Sequence, residues 1–283
     1  MFTLNCKGKL LQFDEPIVMG IINITPDSFY QGQLHEPHPQ LLVKVEQMLK
    51  DGAQIIDIGG QSTRPDSVRI SSEEETERVI PIIQKIIAAF PDIILSIDTY
   101  YSAVAKEAIS AGASMINDIS AGNADAEMLP LVASSQVPYI AMHMNGTPEN
   151  MHQHSMDEHA TSSVLDFFIH KINECKKAGI KDIIIDPGFG FGKTIEQNYT
   201  LLKNLAVFNM LDYPILAGLS RKSMIYKTLD IKASDALNGT SVLNSFALMN
   251  GANILRVHDV KEATEAIKLF STYKNAALQE NGI

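Results

Sequence analysis

The residues best equipped for chemistry stand at the ends of short apolar runs. Asn23, Asp57, Asp98, Asn117 with Asp118, His143, Asp186, and Arg256 with His258 each close such a run, and "SRKS" (220–223) lies just beyond another. A single Asp in that position is commonly a helix cap or a turn former. Gathered at one place, the set has a chemical meaning. Carboxylates and side-chain amides suit a neutral heterocycle with donors and acceptors along one edge, because a carboxylate accepts two parallel N–H bonds. Lys222, Arg256 and His258 suit an anion. One ligand carrying a heterocycle and a phosphate-like group would use both halves.

The stretch "IIIDPGFGFGKT" (183–194) resembles a phosphate loop but lacks its spacing: Gly188 leads Gly192 by too few residues, and Pro187 holds the place of the first glycine. Its glycines run G-x-G-x-G, which is not the dinucleotide pattern either. What remains is a strand ending in Asp186 and a loop whose backbone can approach something closely. The "HQH" at 152–154 follows no metal-ligand spacing, so a polar loop is the simpler reading. Cys6 and Cys175 are the only cysteines, without C-x-x-C, and reduced thiols in a cytoplasmic protein are expected.

These residues need elements to converge them. Eight apolar runs recur, at 17–23, 53–59, 92–98, 113–118, 138–143, 182–187, 213–220 and 252–258. They are continuous rather than alternating, as in strands buried on both faces. The segments between them carry helical periodicity, most plainly at 73–90 and 157–178, the latter stopping at Gly179. Strands alternating with helices predict a parallel sheet. Eight units in one chain of 283 residues fit a closed (β/α)8 TIM barrel as a single domain, with a short N-terminal hairpin over 2–14 closing its floor. In such barrels the strand C-termini share one rim, where active sites sit. Two long loops, 23–38 with Phe29 and 59–72 with Arg64, rise from that rim.

A formal net charge of −10 argues against nucleic acid or an anionic membrane surface as partner. No apolar run approaches the roughly 20 residues of a membrane helix. Small molecules are the expected ligands.

Seven blocks in this order, "NITPDSF" (23–29), "GGQSTRP" (59–65), "SIDTY" (96–100), "INDIS" (116–120), "DPGFGFGK" (186–193), "SRKS" (220–223) and "RVHDV" (256–260), resemble the dihydropteroate synthase family of folate biosynthesis. The resemblance implies a pterin-binding (β/α)8 barrel. It implies condensation of 6-hydroxymethyl-7,8-dihydropterin diphosphate with 4-aminobenzoate to give 7,8-dihydropteroate and pyrophosphate. Asp186 would accept from the pterin amino group and ring N–H, with Asn117 and Asp98 on the other ring nitrogens, Lys222 on the oxygen side, Arg256 stacked on the ring and Met142 as a wall. Thr63, Arg64, Arg256 and His258 would meet the diphosphate, and Asn23 would help hold Mg2+. Phe29, Pro65, Phe191, Ser220 and Lys222 would frame 4-aminobenzoate. Lys222, Arg256, Arg64 and Asp98 are the expected catalytic residues, and sulfonamides are expected to compete for the aminobenzoate place.

Three departures from the family pattern are Gln61, where Glu is usual, Asp66, where Gly is usual, and the lack of a Gly pair after Phe29 in the first loop. The rival readings are a methyltetrahydrofolate methyltransferase and a catalytically idle pterin-binding relative. "NITPDSF" and "SRKS" favour the synthase over the first, and intact Asp186, Lys222, Arg64 and Arg256 over the second. Residues 233–250, largely apolar with many small side chains, are expected to form a helix that could supply a homodimer face.

Overall fold

The computed structural model describes residues 1–24, 39–61, 69–146 and 159–276. A hairpin of β1 (Phe2–Cys6) and β2 (Lys9–Phe13) opens the chain, as expected. Eight strands then run parallel: β3 (Ile17–Asn23), β4 (Ala53–Gly59), β5 (Ile94–Asp98), β6 (Met115–Asp118), β7 (Tyr139–Met142), β8 (Ile183–Asp186), β9 (Leu216–Ala217) and β10 (Ile254–Val257). Their order is β8-β7-β6-β5-β4-β3-β10-β9. A parallel bridge between Ile185 and Ile215 brings β8 beside the segment leading into β9, so the sheet closes on itself as a barrel.

The helices follow the strands as the periodicity predicts: α1 (Pro39–Lys50), α2 (Ser72–Ala89), α3 (Ser102–Ala111), α4 (Met128–Ser135), α5 (Ala160–Ala178), α6 (Ile195–Lys203), α7 (Ser223–Tyr226), α8 (Leu237–Met249) and α9 (Val260–Lys274). Helix α2 starts where Ser71 Oγ accepts the Glu74 N–H, with three glutamates in the first turn facing the positive end of the helix dipole. Helix α5 stops at Gly179, whose left-handed φ of 97° lets its N–H reach back to Cys175 and Lys176 carbonyls. The run at 213–220 yields a strand of only two residues: Pro214 has no N–H for a ladder, and the chain leaves the sheet at Gly218 for the "SRKS" turn.

Two apolar layers hold the barrel. Between strands and helices lies a continuous core including Ile22, Ile56, Ile97, Ile116, Phe168 and Phe208. Inside the barrel, Met19, Ile55, Met115, Ile140, Ile184, Leu216 and Ile254 form a plug, and Leu4, Cys6, Leu11 and Phe13 of the hairpin pack against its lower end. The plug leaves only the strands' C-terminal ends for polar groups. Cys6 and Cys175 are buried thiols, one in the floor and one in the outer core. No helix among the described residues is long and apolar enough to cross a membrane.

One buried acid in α2 bears on stability. Glu75 is fully buried beneath the rim and accepts from Thr99 Oγ1 at 2.9 Å. Burial lifts its carboxyl to about 7, outweighing the Thr99 bond. The folded state therefore holds a proton that the unfolded chain releases near its ordinary value. Stability from this group is full below the unfolded pKa and is lost as pH rises through about 7. Glu75→Gln, a neutral stand-in, is expected to melt within a degree or two of wild type at pH 4, and to be more stable at pH 8 by on the order of 3 kcal/mol. Thermal melts at both pH values check this.

Candidate active site

The rim gathers the polar strand ends as the sequence anticipates. Asp98 pairs laterally with Asn117 and Met142 with Asp186, so the ends of β5 to β8 stand side by side, and Arg256 enters from β10 opposite. Arg256 Nη2 lies 2.5 Å from Asp98 Oδ2 and 2.5 Å from Asp57 Oδ2, and its Nε donates to the same Asp57 oxygen at 2.7 Å. Asn117 Nδ2 donates there too, at 3.0 Å. Burial opposes the charge on Arg256, but the two carboxylates outweigh it and hold the guanidinium above its ordinary pKa. Asp98 is pushed up to about 7 by burial, with Arg256 pulling it down and Asp57 pushing it further up.

Across the rim stand two further charged groups, Asp186 and Lys222. Asp186 is buried, and its Oδ1 accepts the Gly188 N–H at 2.8 Å. Burial raises its pKa, opposed chiefly by Lys222. Lys222, in the turn after β9, is lowered to about 8 by burial, with Asp186 opposing. Its Nζ donates to the Phe189 carbonyl and sits 4.6 Å above the centre of the Phe191 ring. Gly218 keeps the two groups accessible to each other: a Cβ there would stand 3.8 Å from Lys222 Nζ and 4.0 Å from Asp186 Oδ2, so any longer side chain would enter the gap.

Phe191 and Met142 join Tyr100 and Ile119 in a small apolar cluster that walls this side. Ser220 Oγ accepts the His258 N–H at 3.3 Å, linking the turn after β9 to the end of β10. His258 is lowered to about 4 by burial, then by Arg256 and Lys44, so its imidazole is neutral near pH 7. Asn23 ends β3, partly exposed, beside Gly59. The structure thus brings together Asp98, Asn117, Asp186, Lys222, Arg256, Met142, Phe191, Ser220, His258 and Asn23. Phe29, Thr63, Arg64, Pro65, Asp66 and the "HQH" histidines lie outside the described residues.

The glycines of "DPGFGFGK" prove to serve the fold. At Gly188 (φ 69°) a Cβ would lie 1.9 Å from the His143 carbonyl oxygen, and at Gly192 (φ 66°) 2.3 Å from that of Asn145. The loop after β8 presses on the chain leaving β7, and only glycine permits it. Lys193 turns inward, donating to the carbonyls of Gly188 (2.8 Å), Phe191 (3.2 Å) and His143 (3.3 Å). Burial lowers this ammonium to about 7, against the pull of Asp186. The loop seats Phe189 in the outer core and Phe191 in the cluster at the rim.

Two strand-end residues part from the site. Asp118 is a turn former: its Oδ1 accepts from the Ser120 N–H and O–H, each at 2.7 Å, and its Oδ2 from the Gly122 N–H at 2.7 Å and the Tyr139 hydroxyl at 2.8 Å. His143 packs edge-on against Phe167 at 4.9 Å, and burial lowers its imidazole to about 3. Gln61, the departure in the second motif, accepts the Ile70 N–H at 2.9 Å and so ties the two ends of its loop together.

The family model for pterin binding enzymes matches residues 19–258. The dihydropteroate synthase of Escherichia coli (strain K12) is 40% identical over 268 residues, spanning 94% of each chain. The chain belongs to the dihydropteroate synthase family. Among solved structures, the Yersinia pestis dihydropteroate synthase in complex with a sulfonamide drug superposes with a TM-score of 0.90 at 39% identity, covering 97% of this chain and 100% of that one. The Xanthomonas albilineans dihydropteroate synthase with 4-aminobenzoic acid gives 0.89 at 36% identity, covering 97% and 99%. The matched region begins in β3 and ends at His258, so it reaches every barrel strand of this dihydropteroate synthase family member and contains the seven after β3 whole.

Proposed function

We propose that this rim condenses 6-hydroxymethyl-7,8-dihydropterin diphosphate with 4-aminobenzoate, releasing pyrophosphate and 7,8-dihydropteroate. The observation carrying this reading is the division of the rim into two halves: the acceptor and amide set Asp98, Asn117 and Asp186, and the cationic set Arg256 and Lys222. Asp186 accepts the pterin amino group and ring N–H. Asp98 and Asn117 hold the opposite ring nitrogens, and Met142 walls the ring plane. Lys222 donates to the pterin oxygen side. Phe191, Ser220 and the stem of Lys222 frame 4-aminobenzoate on one side, with Phe29 and Pro65 assigned to the other from sequence.

The reaction breaks a C–O bond between the pterin methylene and the diphosphate, and the ring nitrogens can delocalise the positive charge that develops. Arg256 and His258 stand where negative charge would build on the leaving oxygens, and Thr63 and Arg64 are assigned to the same charge from sequence. This is electrostatic stabilisation of a dissociative step, without a nucleophilic side chain. The arylamine nitrogen then bonds to the methylene carbon and gives up a proton.

Asn23 offers one neutral oxygen, and no group of three or more His, Cys, Asp or Glu that could hold a metal stands among the described residues. Mg2+ keeps several waters and takes much of its coordination from substrate phosphates, so Asn23 would hold it together with the diphosphate rather than alone. Bound there with the diphosphate, Mg2+ supplies further charge neutralisation of the leaving group.

Sulfonamides present an arylamine with a polar group opposite, as 4-aminobenzoate does. In steady-state kinetics they are expected to raise the KM for 4-aminobenzoate without changing kcat. Inhibition unaffected by saturating 4-aminobenzoate would contradict the shared subsite.

We assign a homodimer to the face of α8. Val242, Phe246 and Met249, spaced by four and three residues, form an exposed apolar stripe on one side of that helix. Sedimentation equilibrium is expected to give twice the chain mass, and Phe246→Glu to return it to the monomer.

A further inference from the structure

Of the strand-end carboxylates, Asp57 and Asp118 have no assigned substrate contact, and Asp118 is engaged in its own turn. Asp57 pairs laterally with Ser96, whereas Asp98 pairs with Gly59, so Asp57 lies two residues further from the rim than Asp98. Asp57 has no solvent exposure, while Asp98 keeps 9% and the Arg256 side chain 18%. A ligand entering from the rim meets Asp98 and Arg256 and cannot reach Asp57. Any influence of Asp57 on a ligand must pass through its neighbours.

Its bonding is lopsided. Oδ2 receives Arg256 Nε, Arg256 Nη2 and Asn117 Nδ2, whereas Oδ1 is buried with no hydrogen-bond partner among the described residues. One oxygen therefore fixes both the guanidinium and an amide of the heterocycle set. Gly59, above Asp57 on the same strand, lies against Asp98: a Cβ there would stand 3.4 Å from Asp98 Cβ.

Arg256 thus faces two carboxylates of different standing. Asp98 is at the rim and faces the pterin edge; Asp57 is below, where Arg256 and Asn117 are its partners among the described residues. If Asp98 were the sole counter-ion, ligand binding would have to break a desolvated ion pair and leave Arg256 uncompensated, a costly step in a dry site. With Asp57 beneath, Asp98 can turn to the ligand while Arg256 stays paired and in place. We propose, building on the condensation reading above, that Asp57 is a positioning residue: a fixed counter-ion that holds Arg256 so that Asp98 is free to exchange the guanidinium for the pterin.

A double-mutant cycle of Asp57→Asn and Arg256→Gln tests this, read by calorimetric binding of 6-hydroxymethyl-7,8-dihydropterin, which carries no diphosphate. With Arg256 present, Asp57→Asn is expected to weaken binding roughly tenfold or more, the scale of one charge-assisted bond. In the Arg256→Gln background the same change is expected to act less than about threefold, because the competing guanidinium is gone. The KM for 4-aminobenzoate should stay within about threefold of wild type. Wild-type affinity in Asp57→Asn, or an equal loss in both backgrounds, would overturn the proposal, the latter marking Asp57 as a general structural group. Should thermal melts show Asp57→Asn unfolded, Asp57→Ser is read on the same cycle. A wild-type protein that bound no pterin would instead bring down the functional reading itself.

Discussion

Asp186→Asn is expected to weaken pterin binding roughly 10- to 100-fold, the loss of about 1.5–3 kcal/mol for a charge-assisted pair. The carboxylate is buried, one of its oxygens is already held by the Gly188 N–H, and Lys222 opposes the pKa rise that burial imposes. An amide at this position loses the charge and replaces one acceptor by a donor, which then faces the ligand's own N–H or the Gly188 N–H. The loop should survive, since Gly188 can still find the amide oxygen, so the effect should fall on the ligand. Calorimetry with 6-hydroxymethyl-7,8-dihydropterin reads it. Wild-type affinity in the variant would remove Asp186 from the pterin edge.

Lys222→Met should act on both halves of the site at once. Its ammonium opposes the pKa rise of Asp186, donates to the Phe189 carbonyl and stands over Phe191. Methionine keeps much of the stem but leaves a buried carboxylate short of its counter-charge. Loss of a charged donor to the ligand is worth roughly 1.5–3 kcal/mol, so kcat/KM is expected to fall by about 10- to 100-fold, with pterin affinity and the KM for 4-aminobenzoate both weakened. A variant that lost only aminobenzoate affinity would separate Lys222 from Asp186.

The barrel was legible because buried parallel strands are continuous apolar runs, and eight of them in one chain leave little choice of architecture. The rim was legible because a barrel brings every strand end to one place. Which strand-end acid does what was not. Asp57, Asp98 and Asp118 look alike in sequence, yet one lies below the site, one in it and one outside the barrel wall. Parity offered part of the answer: adjacent residues of a strand face opposite ways, so if Asn117 points inward, Asp118 must point out. Depth depends on the register between β4 and β5, which no local pattern encodes. The glycine loop was readable as a place of close approach, but its partners, the His143 and Asn145 carbonyls, come from a different strand's exit and only the fold brings them there. Lys193 shows the same limit: its ammonium donates to the carbonyls of Gly188, Phe191 and His143, partners that only the fold brings together.

The claim that this rim joins two small molecules is tested most directly by following pyrophosphate and 7,8-dihydropteroate together. The purified protein is given 6-hydroxymethyl-7,8-dihydropterin diphosphate and Mg2+, with and without 4-aminobenzoate. Both products should appear in equal amounts with 4-aminobenzoate present, and dihydropteroate should be absent without it. Tight binding of the pterin diphosphate with no dihydropteroate formed at any concentration of 4-aminobenzoate would contradict the account and leave a pterin-binding protein in its place.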